Sequence, residues 1–595
     1  MLIKALCDYA DKQSSNDDSK KIPDGFAEQE IHYRIIISEA GDLKDIIPFK
    51  EKKTIKDKKG NDKTVEVPRK AILPVRTQKP GIESNYIEHR PLYIFGLNYD
   101  NDSFTPDDKT NKARKSHAAF VEHELAFLEG IESPACSAYR KFVEKWTPEG
   151  GVENPLLKEL GKGYKGSYFG FSIENESNYL EKDEEYISKY LKGFSEKNES
   201  KDDEVQSICG ISGEKAVQAR LHDKIMKFPG GQASGCQLVC MNDTAFESYG
   251  KTQSYNSNVS EKTMKKYTAI FNKLLSDKKH YCLLGDMVII WFAVKNDDTA
   301  ECDIFSSFFG NTKDKKAEED IASLMAQARK GFTTDISIDK SVTFYIAGLT
   351  PNSSRICQKF IYKGNFGDVL GNLLKHQRDI MINESNTRPV YFGSITRELI
   401  SPKSTNDKVP PPLMSAIMLA ALNSTKYPDA LLSTVIRRVK TDSDDDKNHF
   451  IKLNDTRAGI IKACLNRKNK KEEIIMAWNE ENNNPAYLCG GLFAVLEKIQ
   501  QDSSGGNLNR TIKDSYFASA CSRPASVFPK LAKLSQNHLR KLSDGAEVYY
   551  NKMIGNIMNS LDGEFPATLN LDDQGRFIVG YYQMNKKLYT SNEGK

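Results

Sequence analysis

The chain has 595 residues, 39% hydrophobic and 28% charged, with 85 Lys and Arg against 81 Asp and Glu for a net charge of +4. This composition describes a folded chain with room for about three or four domains and excludes a disordered or fibrous polymer. So small a net charge means that any nucleic-acid contact must come from local patches. The longest apolar run, Leu283–Val294, is broken by Asp286 and falls short of the roughly 20 residues of a membrane span. Met1–Lys12 carries Asp8, Asp11 and Lys12, which does not fit a signal peptide. The eleven cysteines contain no C-x-x-C pair. No disulfide framework, metal or cofactor is expected from them, and a reducing cytoplasm fits.

No repeat of 20–50 residues is present. Ile31–Ser38 reads as a strand, and Glu39–Asp42 as a hairpin turn after it. Leu92–Leu97, Gly166–Ile173, Tyr281–Val294 and Val342–Leu349 are further predicted strands, with Gly285-Asp286 a turn inside the third. Ser260–Leu275 places Met264, Tyr267, Ile270, Phe271 and Leu274 at helical spacing behind a Ser N-cap. Ser14–Lys21, Lys52–Lys63, Asp100–Lys115 and Ser195–Glu204 are polar and predict exposed loops. After Pro410-Pro411-Pro412 the pattern becomes helical throughout: Leu413–Leu422, Pro428–Lys440, Arg457–Asn466, Pro485–Gln500 and Pro524–Leu542. The expectation is an α+β region over 1–405 followed by an all-α helical bundle over 406–595.

Enzymatic motifs fail on context. Gly161-Lys-Gly163-Tyr-Lys-Gly166 matches a dinucleotide loop, but a helix precedes it and a strand follows, the reverse of the required order. The same glycines lack the Lys of a phosphate loop, and no nucleophile elbow or H-E-x-x-H is present. The enzymatic alternative that remains is a metal-dependent nuclease built on Asp24, Asp42 and Lys44, two carboxylates for Mg²⁺ with a lysine beside them. Asp42 falls in a predicted turn rather than on a strand, which weighs against it.

Two segments suit nucleic acid. In the first, Arg76 and Lys79 can neutralise phosphates, while Gln78 and Asn85 carry the paired donor and acceptor that read base edges. The second runs from Gly230 to Asn258 and interleaves amides, hydroxyls, aromatics and one lysine, including Gln232, Ser234, Lys251, Gln253 and Asn256. That mixture suits stacking on a single strand or tracking a backbone, and equally suits a structured polar loop. In the helical part, Arg437, Arg438, Arg457, Lys462 and Arg467 offer a phosphate-facing stripe. Basic residues near helix C-termini also complement the macrodipole.

Several strings, in order, carry a family resemblance: Pro23-Asp-Gly-Phe26, Arg76 to Ile82, Gln232-x-Ser234-Gly235, Ala245 to Gln253, Gly348 to Arg355, Tyr427 to Leu432, Asn484 to Leu488, Val527-Phe-Pro529 and Val548-Tyr-Tyr550. In combination the chain resembles the Csd family, the large subunit of the type I-C CRISPR Cascade surveillance complex. The Lys- and Asp-rich insertions are departures from it. The resemblance implies a non-catalytic subunit that contacts the protospacer-adjacent motif (PAM) and the guide's 5′ end through its front region. Its helical part would follow the displaced strand and support unwinding and R-loop formation. Implied partners are the CRISPR RNA, target double-stranded DNA, the Cascade backbone and guide-processing subunits, a small subunit and a recruited helicase-nuclease. The family is also known for an internally initiated small subunit. Lys471-Glu-Glu473 can encode a ribosome-binding purine run ahead of Met476, so 476–595 is a candidate second product. A scaffold that never touches DNA is the remaining alternative.

Overall fold

The computed structural model describes residues 1–13, 25–56, 62–75, 82–106, 111–174, 179–199, 205–309, 319, 323, 339–383, 389–445, 450–468, 474–505, 508 and 510–590. They divide into two units, Asp17–Gln206 and Met1–Asn16 with Ser207–Lys595. The second unit opens with helix α1 (Leu2–Gln13), described with that unit below.

In the Asp17–Gln206 unit, strands β1 (Phe26–Ile31), β4 (Lys50–Lys56) and β5 (Asp62–Pro74) form an antiparallel sheet in the order β1-β5-β4. Strands β2 (Tyr33–Ile37) and β3 (Leu43–Pro48) make the expected hairpin, and β8 (Phe169–Ile173) pairs parallel to β2. Between β5 and β8 come α2 (Pro91–Phe95), the short hairpin β6 (Asn98–Asp100) and β7 (Ser103–Thr105), α3 (Lys112–Leu128), α4 (Pro134–Lys145), α5 (Pro148–Gly151) and α6 (Pro155–Leu160). After β8 comes α7 (Glu184–Glu199). Ile35, Ile37, Phe95, Tyr139, Phe142, Phe169 and Phe171 fill one core. Within it the Arg34 guanidinium is paired to Glu181 and lies against the Phe49 and Tyr179 rings at 4.3 and 3.9 Å. A buried cation is tolerable here because its charge is matched and its faces are covered by π-systems.

Two predictions in this unit are corrected. Leu92–Leu97 is not a strand but helix α2. Pro91 at its first turn has no N–H to lose, and Gly96 closes it at φ 69°. Lys52–Lys63 is largely the β4–β5 hairpin, pairing Lys50 with Pro68 through Lys56 with Asp62. Its lysines lie along an edge strand, where charge discourages pairing with other chains.

In the other unit, short strands β9 (Gln206–Ile208) and β10 (Lys215–Val217) precede a long irregular segment and α8 (Glu261–Ser276). A four-stranded antiparallel sheet follows: β11 (Tyr281–Leu284), β12 (Met287–Ala293), β13 (Thr343–Asn352) and β14 (Arg355–Asn365), with α9 (Thr299–Ser307) inserted between β12 and β13. Every residue of β12 is buried. Val288, Ile290 and Phe292 join a core with Leu2, Leu6 and Tyr9 of α1 and Ile270 and Phe271 of α8. Met287, Ile289, Trp291 and Ala293 join the opposite core. A strand covered on both faces reads as an unbroken apolar run, and Met-Val-Ile-Ile-Trp-Phe-Ala is one.

From Phe366 on, every regular element among the described residues is helical: α10 (Phe366–Ile380), α11 (Phe392–Leu399), α12 (Pro411–Leu422), α13 (Asp429–Thr441), α14 (Asp455–Lys468), α15 (Pro485–Ser503), α16 (Ile512–Ala520), α17 (Pro524–Leu539), α18 (Asp544–Ser560) and α19 (Leu571–Thr590). The α+β front and helical back match the predicted class. One hydrophobic core runs from Leu284 in the sheet to Leu588 in α19. No helix among the described residues is long and apolar enough to cross a membrane, and all eleven cysteines are free thiols.

Candidate nucleic-acid interface

The irregular segment between β10 and α8 is pinned at its base and open at its tip. The turn between β13 and β14 docks against it. Gln237 N–H donates to Ser354 O at 2.8 Å, Ile356 N–H donates to Gln237 O at 2.9 Å, and Gln237 Nε2 donates to His222 O at 2.5 Å. Gln232 Nε2 reaches Ser353 Oγ at 3.2 Å. Two of the sequence strings, Gln232–Gly235 and Gly348–Arg355, therefore meet in space. Behind them the buried His222 ring bonds Tyr267 Oη at 2.6 Å and Ser257 Oγ at 3.3 Å. Burial alone pushes its pKa down to about 4, so the ring is neutral at pH 7. Around Gln237 the pairing is by isolated bridges, Ile225 to Cys236 and Gln237 to Arg355, rather than by a regular strand.

The tip is fully solvated, residues 242–250 all being exposed. Asp243 caps a short turn through Ala245 N–H at 2.9 Å. Lys251 N–H then donates to Ser248 O at 3.0 Å, closing Ser248-Tyr249-Gly250-Lys251. Both central residues have positive φ, 53° at Tyr249 and 69° at Gly250, which is the hairpin-turn geometry that favours Asn and Gly. An aromatic residue there costs about 1–3 kcal/mol. Tyr249 is also 99% exposed, so its ring recovers nothing from burial. Strain and full exposure therefore coincide at this side chain.

Cations and amides are fixed elsewhere on the segment that carries this turn. Lys251 Nζ donates to Asn258 Oδ1 at 2.9 Å, and Arg220 Nη1 donates to Gln253 Oε1 at 2.9 Å. Arg355 lies 4.9 Å from the Phe246 ring centre and donates to Asn242 at 2.8 Å. Asn256 is the internal staple: its Oδ1 accepts from Ser248 N–H at 3.2 Å, and its Nδ2 donates to Lys251 O at 2.7 Å. Gln232 and Ser234 are exposed on the same segment. The sequence reading took the segment's aromatics together as a stacking surface, without singling out Tyr249, Arg220, Phe246 or Arg355 as site residues. The tyrosine could have been found from Tyr-Gly between two polar residues, a turn signal with an aromatic in it.

The first segment is placed differently. Arg76, Gln78 and Lys79 lie outside the described residues. Asn85, expected to read base edges, is 6% exposed and turned inward. Its backbone N–H donates to Glu88 Oε2 at 3.0 Å. Burial works against the Glu88 carboxylate, but Arg90 and the surrounding N–H donors outweigh it and hold its pKa below the usual range.

The basic stripe of the helical region is largely internal, which corrects its expected orientation. Arg457 is fully buried, with Nε 2.7 Å from Glu398 and Nη2 2.8 Å from Asp442. Arg467 pairs with Asp379 at 2.7 Å, donates to Ala420 O at 2.8 Å and covers the Tyr427 ring at 4.3 Å. Lys462 is 5% exposed. Arg438 pairs with Asp442 at 3.3 Å, whereas Arg437 is exposed. The acids that neutralise this run come from other elements, so the local sequence did not show them. Of the nuclease set, Asp24 lies outside the described residues. Asp42 sits in the β2–β3 turn and accepts from Lys145 at 3.2 Å, a bond that holds its pKa below the usual range. Lys44 is exposed on β3.

One unpredicted cluster gathers His280, Asp298 and Cys302, with ligand atoms within 4.8 Å of one another. Asp298 is already spent, accepting from Tyr9 Oη at 3.2 Å, Ala293 N–H at 3.1 Å and Cys302 Sγ at 3.3 Å. The cluster therefore reads as a satisfied cap between β12 and α9.

The described residues thus present an exposed loop platform docked on the β13–β14 turn, with helices alone from Phe366 on. The comparisons with known proteins identify the family. The model of the CRISPR-associated protein (Cas_Csd1) family matches residues 6–589, and the chain belongs to that family, the large subunit of type I-C Cascade. Among curated proteins none matches.

Proposed function

We propose that this chain is the non-catalytic PAM-sensing large subunit of an RNA-guided complex, and that the loop platform centred on Tyr249 is its contact with target DNA. The observation that carries the reading is the fully exposed tyrosine on a left-handed turn, next to Lys251 in the chain and on a segment that Arg220 and Arg355 also contact through Gln253, Asn242 and Phe246. Aromatic rings stack on unpaired bases, and the neighbouring cations track phosphates. Gln232, Ser234 and Gln253 supply amide and hydroxyl groups beside it. Arg76, Gln78 and Lys79 contact the motif duplex, and Arg437 belongs to the helical contact surface. In such complexes pairing with the guide reads the sequence, while the protein reads a short motif and the shape of the duplex.

The helical module, 406–595, lies along the displaced strand and promotes unwinding and R-loop formation in the cytoplasm. The backbone and guide-processing subunits hold the CRISPR RNA against the front region, and the assembled complex recruits a helicase-nuclease. Residues 476–595 serve a second time as an internally initiated small subunit. Three features support that reading. Met476 lies in 474–484, a non-helical run ahead of α15. Helices α15 and α19 are tied by Tyr487 Oη to Gln583 at 2.6 Å and Tyr581 Oη to Glu497 at 2.5 Å. Trp478 stacks on Tyr487 at 4.7 Å just after the start.

The test is binding of the guide complex, assembled with wild-type chain or Tyr249→Ala, to targets bearing a library of flanking motifs. The reading requires lower affinity for the variant on motif-bearing targets. Equal affinity and an equal motif profile for both would remove Tyr249 from the interface.

A further inference from the structure

The last third of the chain carries a second basic feature that the sequence motifs did not single out. Between Asp514 and Asp544 there is no acidic residue, although 81 acids in 595 residues would put about four in a stretch of that length. Helix α17 occupies the middle of it. Val527, Phe528, Leu531, Ser535 and Leu539 are buried on one face. Arg523, Ser526, Lys530, Lys533, Asn537 and Arg540 are all exposed. Their spacing alternates between three and four residues, which places them on one side of the helix from its N-cap to its C-cap. At 1.5 Å per residue the edge is about 26 Å long.

Among the described residues Arg523, Lys533, Arg540 and the neighbouring Lys541 make no ion pair, and Lys530 lies 5.1 Å from the Tyr516 ring. Two ordinary explanations do not account for this. The helix dipole favours Arg540 and Lys541 at the C-terminus, but it disfavours Arg523 at the N-cap and does nothing for Lys530. A plain solvated face interleaves acids three or four residues from its cations, and α17 itself holds none.

We propose that this edge of α17 is a phosphate-binding rail for one nucleic-acid strand. Four guanidinium and ammonium groups meet successive phosphates, while Ser526 and Asn537 supply hydrogen bonds between them. A row of cations along one side of a single helix follows an extended single strand, whereas the phosphates of a duplex wind away from it. The inference rests on the nucleic-acid reading above and adds a site to it. The whole rail lies beyond Met476, so a product starting there carries it too.

The test uses the assembled complex with the full chain, either wild type, Lys530→Glu/Lys533→Glu/Arg540→Glu, or the neutral Lys530→Gln/Lys533→Gln/Arg540→Gln. Target affinity is measured from low to moderate salt on a duplex target and on the guide-complementary strand alone. The neutral variant keeps the test open if charge reversal disturbs assembly. For three lost single-strand contacts the slope of log affinity against log salt becomes shallower by about 2, with an unchanged motif profile. A change confined to the duplex target assigns the rail to the displaced strand. A change on both targets assigns it to the guide or the target strand. Wild-type affinity and slope in a correctly assembled neutral variant overturn the rail. If the wild-type chain adds no nucleic-acid affinity to the complex, rail and platform fall together.

Discussion

Helices α14 and α17 both carry cations without acids between them, yet they use them in opposite ways. On α14, Arg457 and Arg467 point inward and meet Glu398, Asp442 and Asp379 from other elements, and Lys468 reaches Asp572 at 3.0 Å. On α17 the cations stay outside, opposite an apolar face. The difference teaches that counting charge along a segment does not locate a binding surface. A cation at an otherwise apolar position is recruited into the core and needs a partner there. A cation on the polar edge of an amphipathic helix stays available. The platform repeats the contrast on a smaller scale, with His222 inside and Tyr249 outside.

The largest expected effect is on the inward side. Arg457→Ala removes the cation that Glu398 and Asp442 share, leaving Asp442 only Arg438 and Glu398 only Asn454 among the described residues, and destabilises the chain by about 3–5 kcal/mol, read by chemical denaturation. A loss under 1 kcal/mol would show that the α14 cations are not structural and would erase the contrast. His222 comes next. Its folded pKa of about 4 lies below the ordinary 6.5, so the unfolded chain takes up its proton first as pH falls. Its contribution is fully present above pH 6.5 and is lost towards pH 4, by about 3 kcal/mol at most. His222→Gln should therefore lose stability less steeply than wild type between pH 7 and 4.5. Parallel profiles would mean that the ring titrates normally.

Smaller effects fall on the outward side. Tyr249→Ala should leave stability within about 0.5 kcal/mol while weakening target binding by about 1–3 kcal/mol, the worth of one stacked base. A stability loss without a binding loss would make it a folding residue. Lys533→Ala should change stability least, within about 0.5 kcal/mol, by thermal unfolding. A larger loss would reveal an internal partner for the α17 edge.

Much of the fold was legible. Amphipathic spacing placed α8 and its Ser260 cap, and proline-led helices in the second half appear at Pro485 and Pro524 as expected. The unbroken apolar run gave β12 and its turn. What was not legible depended on partners distant in sequence. Asn85 looked like a base reader because Glu88, Arg90 and the fold around them are what turn it inward. The α14 run looked free because its acids lie on α10, α11, α19 and the connection after α13. Tyr249 was not singled out because composition does not reveal a positive φ. The acid-free stretch around α17 was visible in the sequence, but only the burial of its other face shows that the cations share one edge.

The most direct measurement is target-duplex binding by the guide complex, assembled with and without this chain, across a library of flanking motifs. The account predicts that the chain confers motif-dependent affinity and that Tyr249→Ala reduces it. Affinity that rises equally for every motif would assign motif reading to another subunit, and no change at all would contradict a DNA-contacting role for this chain.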